Sequence, residues 1–305
     1  MKITGRDVWQ FIQLARPHFM LGPLLLYGLG TAMARFLGAA IDENIFVLGL
    51  GLTLSVQLMT HFLNEYFDGP QDRRNQNRTP FSGGSGVLGP GGLPRQAALV
   101  GAVVFLTAAI MLASLGLLSY NFPTLSWVIL GLSFIAAFFY NMPPIELNTS
   151  GVGELTTAIT VGGLVPAFAF SLQTGEFHRL LPLTTTPIVA ATLAMIMVFE
   201  LIDYSADEKN EKRTMMVRLG WETGMRVHDV ALAAMILSLL IALNLGLPWR
   251  AGRAALLAIP FAGLQWWQME SIRRGRPPAW KALAWNAVAT TGILAYLLLM
   301  GYLTS

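Results

Sequence analysis

The chain has 305 residues, of which 54% are hydrophobic and only 12% are charged. An ordinary soluble domain has about 25% charged residues, so this composition indicates a protein whose solvent is largely lipid. The absence of cysteine excludes disulfides, a thiolate nucleophile and cysteine-bound zinc or iron–sulfur centres. The net charge of +3 comes from basic residues between apolar runs, so topology explains it and we expect no nucleic-acid partner.

Apolar runs separated by charged or Gly/Pro-rich segments follow one another along almost the whole chain. Each run approaches the roughly 20 residues that an α-helix needs to cross a bilayer. We therefore predict an all-α polytopic membrane protein, with about nine transmembrane helices in one bundle and a single domain over residues 1–305. The predicted spans are 19–37, 44–66, 96–119, 124–140, 152–173, 183–202, 228–246, 252–269 and 281–302.

The distribution of basic residues predicts the orientation. With the N-terminus in the cytoplasm, 16 of the 20 Lys and Arg residues fall in cytoplasmic segments, as is typical of such loops. No small-residue cleavage site follows a short apolar core near the start, so we expect the first helix to be retained. We expect an integral protein of a bacterial or archaeal cell membrane, with its chemistry at the cytoplasmic side. The four basic residues left outside are Arg35, Arg179, Arg250 and Arg253.

Two acidic motifs stand at the predicted cytoplasmic ends of helices. In the first, Asn64, Asp68 and Asp72 follow at i, i+4 and i+8, which places them on one face of a helix. Gly69-Pro70 favours a kink or an end of the helix before Asp72. In the second motif, four carboxylates share one helix face at i, i+3, i+7 and i+11: Glu200, Asp203, Asp207 and Glu211.

Like charges stacked on one helix face repel each other, so a cation is expected between them. Oxygen ligands without His or Cys indicate Mg²⁺, which usually completes its shell with water and phosphate oxygens. We therefore predict a phosphorylated substrate. The predicted metal ligands are Asn64, Asp68, Asp72, Asp203 and Asp207.

Basic residues follow both motifs, and arginine forks suit phosphate oxygens. The Gly-rich segment 79–92 either brings backbone N–H groups close to an anion or is a flexible linker. Glu146 and Glu154 either face the same cavity or are polar residues at the membrane interface. The basic residues are Arg73, Arg74, Arg78, Lys209, Lys212 and Arg213.

Taken together, these motifs resemble those of the UbiA superfamily of intramembrane prenyltransferases. The paired motifs Asn64-x-x-x-Asp68-x-x-x-Asp72 and Asp203-x-x-x-Asp207 carry the resemblance, which extends over nearly the whole chain. Its other parts are Ala15-Arg16-Pro17, Tyr140-Asn141-x-Pro143-Pro144 and Lys212-Arg213-Thr214-x-x-Val217-Arg218-Leu219-Gly220.

Within the superfamily, two segments look most similar to 1,4-dihydroxy-2-naphthoate polyprenyltransferases of menaquinone synthesis. They are Asn64-Glu65-Tyr66-Phe67-Asp68 and Ser82-Gly83-Gly84-Ser85-Gly86. The chain departs from the superfamily pattern at Phe199-Glu200, where asparagine is usual. Glu200 either replaces that residue as a ligand or accompanies a different acceptor.

The resemblance implies Mg²⁺-dependent transfer of a polyprenyl group from polyprenyl diphosphate to an aromatic acceptor, with Asp68, Asp72, Asp203 and Asp207 as catalytic residues. The allylic cation would be attacked by an electron-rich ring carbon, after which the ring loses a proton or CO₂. A lateral opening would keep the isoprenoid tail in the lipid bilayer. The substrate-binding residues implied are Asn64, Tyr66, Arg73, Arg78, Tyr140, Glu200, Lys209, Lys212 and Arg213.

Several alternatives stay open at this point. The acceptor is 1,4-dihydroxy-2-naphthoate, 4-hydroxybenzoate, homogentisate, a porphyrin or a glycerolipid alcohol, or the enzyme is a terpene cyclase that needs no acceptor. An ion-coupled transporter would instead place its carboxylates near the bilayer midplane on broken helices. A purely structural membrane protein would leave both acidic motifs unexplained.

Overall fold

The computed structural model describes residues 4–72 and 77–305, with the backbone alone for residues 70–72. Every named element within these residues is helical, which confirms the predicted all-α class. The helices are α1 Gly5–Leu14, α2 Leu21–Phe36, α3 Glu43–Asp72, α4 Gln96–Leu118, α5 Thr124–Phe138, α6 Leu147–Ser150, α7 Gly153–Ile159, α8 Val165–Thr174, α9 Leu180–Lys209, α10 Met215–Leu219, α11 Trp221–Asn244, α12 Trp249–Ala255, α13 Ile259–Arg273 and α14 Trp280–Leu303.

Seven helical segments of the described chain are long and apolar enough to cross a membrane, so the chain is an integral membrane protein and the count of nine is approximate. The other two predicted spans are helical but differ in form. Helix α5 has only 15 residues, and the predicted span 252–269 is divided by a 3₁₀ turn at Leu256–Ala258. Pro260, near the start of α13, has no N–H to continue the preceding helix.

Helix α3 continues through Gly69-Pro70 to Asp72, beyond the predicted end at residue 66. A proline inside a helix leaves the carbonyl four residues earlier without its usual donor, and here that carbonyl belongs to Tyr66. Arg95 replaces the missing donor, because its Nε lies 2.6 Å from the Tyr66 carbonyl oxygen. The Arg95 guanidinium also lies 4.2 Å from the centre of the Tyr66 ring. Helix α3 thereby extends far enough to carry its acidic end.

Two hydrophobic clusters fix the helices that bear the acidic motifs. The larger one draws buried residues from α1 to α14, including Leu52, Met59 and Phe62 of α3. The smaller one packs the last turns of α9, through Met197 and Ile202, against α10, α11, α13 and α14. Helices α3 and α9 each have 30 residues, more than the roughly 20 required to span a bilayer. The C-terminal end of each helix therefore extends beyond the apolar layer. These two ends project at the same side of the bundle.

Replacing Arg95 with alanine should destabilise the end of α3. The Tyr66 carbonyl would lose its donor and the ring its cationic neighbour, so we expect a loss of about 1–2 kcal/mol. Thermal unfolding in detergent measures this, with Arg276→Ala, at an exposed position, as the matched control. An equal loss in both variants would mean that Arg95 has no such role.

Candidate active site

Asp68 is the residue on which the polar contacts of the site converge. It is buried, with 7% of its surface exposed, and it shares a face of α3 with Asn64. Its Oδ2 accepts hydrogen bonds from Lys212 Nζ at 2.7 Å and from Asn64 Nδ2 at 2.8 Å. Asn148 Nδ2 lies 3.4 Å from both carboxylate oxygens. A single carboxylate thus joins α3, α6 and the loop after α9.

Two buried asparagines complete this network, and sequence reasoning did not select either of them. Asn141 Oδ1 accepts from Asn64 Nδ2 at 3.1 Å and from Asn148 Nδ2 at 3.0 Å. The loop between α5 and α6 is closed by its own backbone, with Asn148 N donating to the Tyr140 carbonyl at 2.9 Å. Asn141 was visible in the Tyr140-Asn141-x-Pro143-Pro144 motif, whereas nothing in the sequence indicates Asn148.

One donor of this network has no partner among the described residues. Asn141 Nδ2 is buried and makes no hydrogen bond there. An amide donor left in this position, beside Asp68 and Lys212, suits an anionic oxygen of a ligand. The site therefore offers a neutral donor together with a cation.

Lys212 is the basic residue that the structure brings to the first motif. The turn after α9 folds back, with Lys212 N donating to the Asp207 carbonyl at 2.9 Å. Burial disfavours the charged ammonium, but the carboxylates of Asp68 and Asp207 outweigh it and raise the pKa of Lys212 well above its usual value. Lys212 is therefore a permanent positive charge between carboxylates of α3 and α9.

The second motif contributes Asp203 and Asp207 from the last turns of α9. Both are half-buried, and Asp207 lies within electrostatic range of Asp68, Asp203 and Lys212. The predicted common face does not extend to Glu211, because α9 ends at Lys209 and Glu211 has a positive φ of 57°. Lys209 and Arg213 are exposed, so the structure does not place them in this cluster.

Glu200 has a different structural role from Asp203 and Asp207. Its carboxyl group lies beside that of Glu154, which is 2% exposed. Met215 N donates to Glu154 Oε1 at 2.6 Å, and Met216 N donates to Glu200 Oε2 at 3.2 Å. The carboxyl pair therefore anchors α10, and with it the Lys212 turn, to α7 and α9. Of the two readings of Glu154, the structure supports a place beside the site.

The Gly-rich segment is tied to α3 rather than free of it. Ser85 donates to Glu65 twice, from its N at 2.6 Å and its Oγ at 2.7 Å. Arg78 Nη2 donates to the Gly84 carbonyl at 2.8 Å. A Cβ on Gly86, whose φ is +74°, would overlap the Arg78 guanidinium. The glycines thus let the segment close around Arg78 beside the site.

The two predicted tyrosines lie in different places. Tyr140 is within electrostatic range of Lys212, Glu200 and Asp68, and burial raises the pKa of its hydroxyl, so it remains a hydrogen-bond donor at neutral pH. Tyr66 is two residues from Asn64, about 200° around the helix, and its ring packs against Arg95 and Phe67. Arg73 and the side chain of Asp72 lie outside the described residues.

The donor chemistry of the site fits Mg²⁺. The oxygen atoms come from carboxylates and amides, without sulfur or imidazole, as hard cations prefer. In the described part of the chain, no three His, Asp or Glu side chains are close enough to hold a metal ion by themselves. Mg²⁺ commonly relies on substrate phosphate oxygens to complete its shell, so the residues fit an ion that binds together with a diphosphate.

The amino-acid sequence matches a known family over most of its length. The model of the UbiA prenyltransferase family matches residues 20–301. The chain belongs to the UbiA prenyltransferase family. It is thus a membrane-embedded prenyltransferase, as the motifs indicated. The carboxylates lie at the ends of α3 and α9 rather than on broken helices at mid-membrane, which is also unlike an ion-coupled transporter.

Two curated relatives and one solved structure are similar over most of the chain. The 1,4-dihydroxy-2-naphthoate octaprenyltransferase of Bacillus subtilis is 26% identical over 219 residues, 71% of this chain and 67% of the relative. The Escherichia coli protein of that name is 27% identical over 248 residues, 78% of this chain and 77% of the relative. A UbiA homologue from Archaeoglobus fulgidus, solved with GPP and Mg²⁺, has a TM-score of 0.69 at 14% identity and covers 97% of this chain and 100% of that one. This last likeness confirms the fold.

Replacing Glu200 distinguishes an anchor from a metal ligand. In Glu200→Gln the amide can donate to Glu154 and its oxygen can accept from Met216 N, so we expect stability and the Mg²⁺ requirement of prenyl transfer to be kept. In Glu200→Leu the buried Met216 N–H loses its acceptor, at a cost of about 1–3 kcal/mol. Thermal unfolding and a Mg²⁺ titration of activity measure both. A raised Mg²⁺ requirement in Glu200→Gln would make Glu200 a ligand instead.

Proposed function

We propose that the chain transfers a polyprenyl group from a polyprenyl diphosphate to 1,4-dihydroxy-2-naphthoate, with Mg²⁺ as cofactor and release of diphosphate. The observation that carries the proposal is the meeting of Asp68 from α3 and Asp207 from α9 around Lys212. The names of the two bacterial relatives support the naphthoate acceptor. The GPP and Mg²⁺ bound by the Archaeoglobus homologue support the donor and the metal.

The metal ligands in this proposal come from both helix ends: Asn64, Asp68, Asp203 and Asp207, joined by Asp72. Bound Mg²⁺ supplies positive charge that neutralises the diphosphate and favours its departure as the allylic C–O bond breaks. In the structure, Asn64 donates to Asp68 through its amide nitrogen. The Oδ1 atom of Asn64 accepts no hydrogen bond from the described residues. An asparagine can thus both orient Asp68 and offer an oxygen to a cation.

Lys212 and Asp68 exchange partners when substrate binds. In the ligand-free pair the ammonium neutralises the buried carboxylate. A diphosphate brings negative charge to the ammonium, so Lys212 donates to a phosphate oxygen, and Asp68 would then be available to hold the metal ion. Asn141 Nδ2 donates to the same anion. Arg78, held by the Gly84 carbonyl, adds positive charge from the Gly-rich segment, and Arg73 is assigned the same role from its place in the sequence.

The bond changes follow from the placement of the substrates. The C–O bond between the prenyl C1 and the diphosphate breaks, and its electron pair leaves with the diphosphate. A ring carbon of the acceptor forms the new bond to C1, and the ring then loses CO₂ or a proton. Packed apolar residues keep water away from the allylic cation, and the prenyl tail stays in the lipid.

We also propose an orientation in the membrane and a single domain. The excess of basic residues supports a cytoplasmic N-terminus, with the ends of α3 and α9 at the cytoplasmic side. The hydrophobic cluster that runs from α1 to α14 supports a single domain.

The test is an assay of the purified protein in nanodiscs with geranylgeranyl diphosphate, Mg²⁺ and 1,4-dihydroxy-2-naphthoate, with products identified by mass spectrometry. We expect a prenylated naphthoquinol-type product that disappears with EDTA. Diphosphate release without that product would overturn the naphthoate acceptor. Products formed from the diphosphate alone would indicate cyclisation.

Loss of either acidic motif should abolish this activity. Asp68→Asn and Asp203→Asn should each lower kcat at least about 100-fold, because charge stabilisation of the leaving diphosphate is lost. Initial rates of the same assay give the measurement. Asp42→Asn is the control, because Asp42 caps the far end of α3 through Asn44 N and asparagine can cap as well. Rates near wild type in either site variant would contradict the assignment.

A further inference from the structure

A second polar pair lies deeper on the face of α3 that carries the site. Gln57 and His61 precede Asn64 and Asp68, and the four positions fall within about 60° of one another around the helix. At a rise of 1.5 Å per residue, His61 is about 10 Å further into the bundle than Asp68. Ionisable and amide side chains at such depth are uncommon and usually face the interior or a substrate path.

In this pair, the Nδ1–H group of His61 is available to a ligand. Gln57 Nε2 lies 2.9 Å from His61 Nε2; since the amide nitrogen can only donate, neutral His61 carries its proton on Nδ1. His61 is half-buried, and Nδ1 makes no hydrogen bond with any residue that the structure describes. By contrast, Thr53, Ser55 and Thr60 each donate to a carbonyl one turn earlier in α3. The neighbouring polar groups are thus satisfied by their own helix, and His61 Nδ1 is not.

A series of aromatic rings begins beside His61. The Phe19 ring centre lies 5.2 Å from that of His61, and Phe81 follows at 6.0 Å from Phe19. Phe81 in turn stacks on Phe199 of α9 at 6.0 Å. A flat ring with a hydroxyl group finds both requirements here, apolar faces to pack against and a hydrogen-bond donor at one edge.

We propose that His61, oriented by Gln57, donates its Nδ1–H to a ring hydroxyl of the aromatic acceptor and so positions the ring against the reacting carbon. The proposal rests on the proposed function and deepens it. A diphosphate held at Asp68 and Lys212 has its prenyl chain directed into the bundle, where the tail reaches lipid. The first prenyl carbon therefore lies deeper in the bundle than Asp68, on the side of His61. His61 is a positioning residue in this scheme, and Gln57 fixes its tautomer.

Three substitutions at one position test the role of Nδ1. An asparagine amide nitrogen occupies nearly the place of His Nδ1, whereas that of glutamine corresponds to Nε2. We expect His61→Leu and His61→Gln to raise the KM for 1,4-dihydroxy-2-naphthoate about tenfold, the usual effect of losing one hydrogen bond. The KM for geranylgeranyl diphosphate should stay unchanged, and His61→Asn should restore most of the acceptor KM. Gln57→Leu should raise the acceptor KM by a smaller factor.

His178→Asn is the matched control. His178 lies at the opposite end of the bundle, where its Nδ1 accepts from Leu180 N, and asparagine can accept there too. Thermal unfolding of each variant in detergent shows whether the fold is kept, and His61→Gln carries the test if His61→Leu is unstable.

The outcomes separate this inference from the proposed function. If wild-type protein prenylates the naphthoate and His61→Gln leaves the acceptor KM unchanged, the inference is wrong and the function stands. A parallel rise in both KM values, or no rescue by asparagine, would also overturn it, because a structural role affects both substrates alike. If wild-type protein prenylates no aromatic acceptor, the proposed function fails and the inference fails with it.

Discussion

A buried carboxylate must be neutralised, and in this protein the site is organised around that requirement. Asp68 is 7% exposed, and leaving such a charge without a partner would be strongly destabilising. Lys212 supplies the counter-charge at 2.7 Å, although it is 144 residues away in the chain. The ion pair therefore sets the position of the turn after α9 relative to α3. It also underlies the proposed exchange of partners, in which Lys212 would be drawn to a phosphate and Asp68 would hold a metal ion.

The acidic residues near the site divide into two groups. Glu65 holds the Gly-rich segment through Ser85, and the Glu154–Glu200 pair holds the start of α10. These three carboxyl groups fix the loops that surround the site, whereas Asp68, Asp203 and Asp207 are the residues that we propose as metal ligands. Neighbouring residues of one motif can serve these separate purposes because Glu65 lies one residue, and therefore about 100° around the helix, from Asn64.

The sequence predicted the helical class, the membrane location and the family, and it placed the acidic motifs at two helix ends that the structure brings together. These follow from apolar length and from i, i+4 spacing, which are local properties of the chain. It placed Glu200 with the aspartates, although its contact with Glu154 depends on how α7 packs beside α9. It also overlooked Asn148, whose position depends on the fold of the loop after α5. The helical continuation through Pro70 depends on Arg95, a residue 25 positions further along. What the sequence could not indicate is in each case a contact between segments distant in the chain.

The exchange of partners at Asp68 is tested most directly by calorimetric titration with a geranylgeranyl thiolodiphosphate, whose allylic C–S bond resists cleavage, with and without Mg²⁺. If the metal and the diphosphate together release Asp68 from Lys212, each should strengthen binding of the other, by about 5–150-fold. In Lys212→Met, Asp68 no longer has to be released, so Mg²⁺ alone should bind more tightly than to wild-type protein. Equal affinity for the analogue with and without Mg²⁺ would contradict the account.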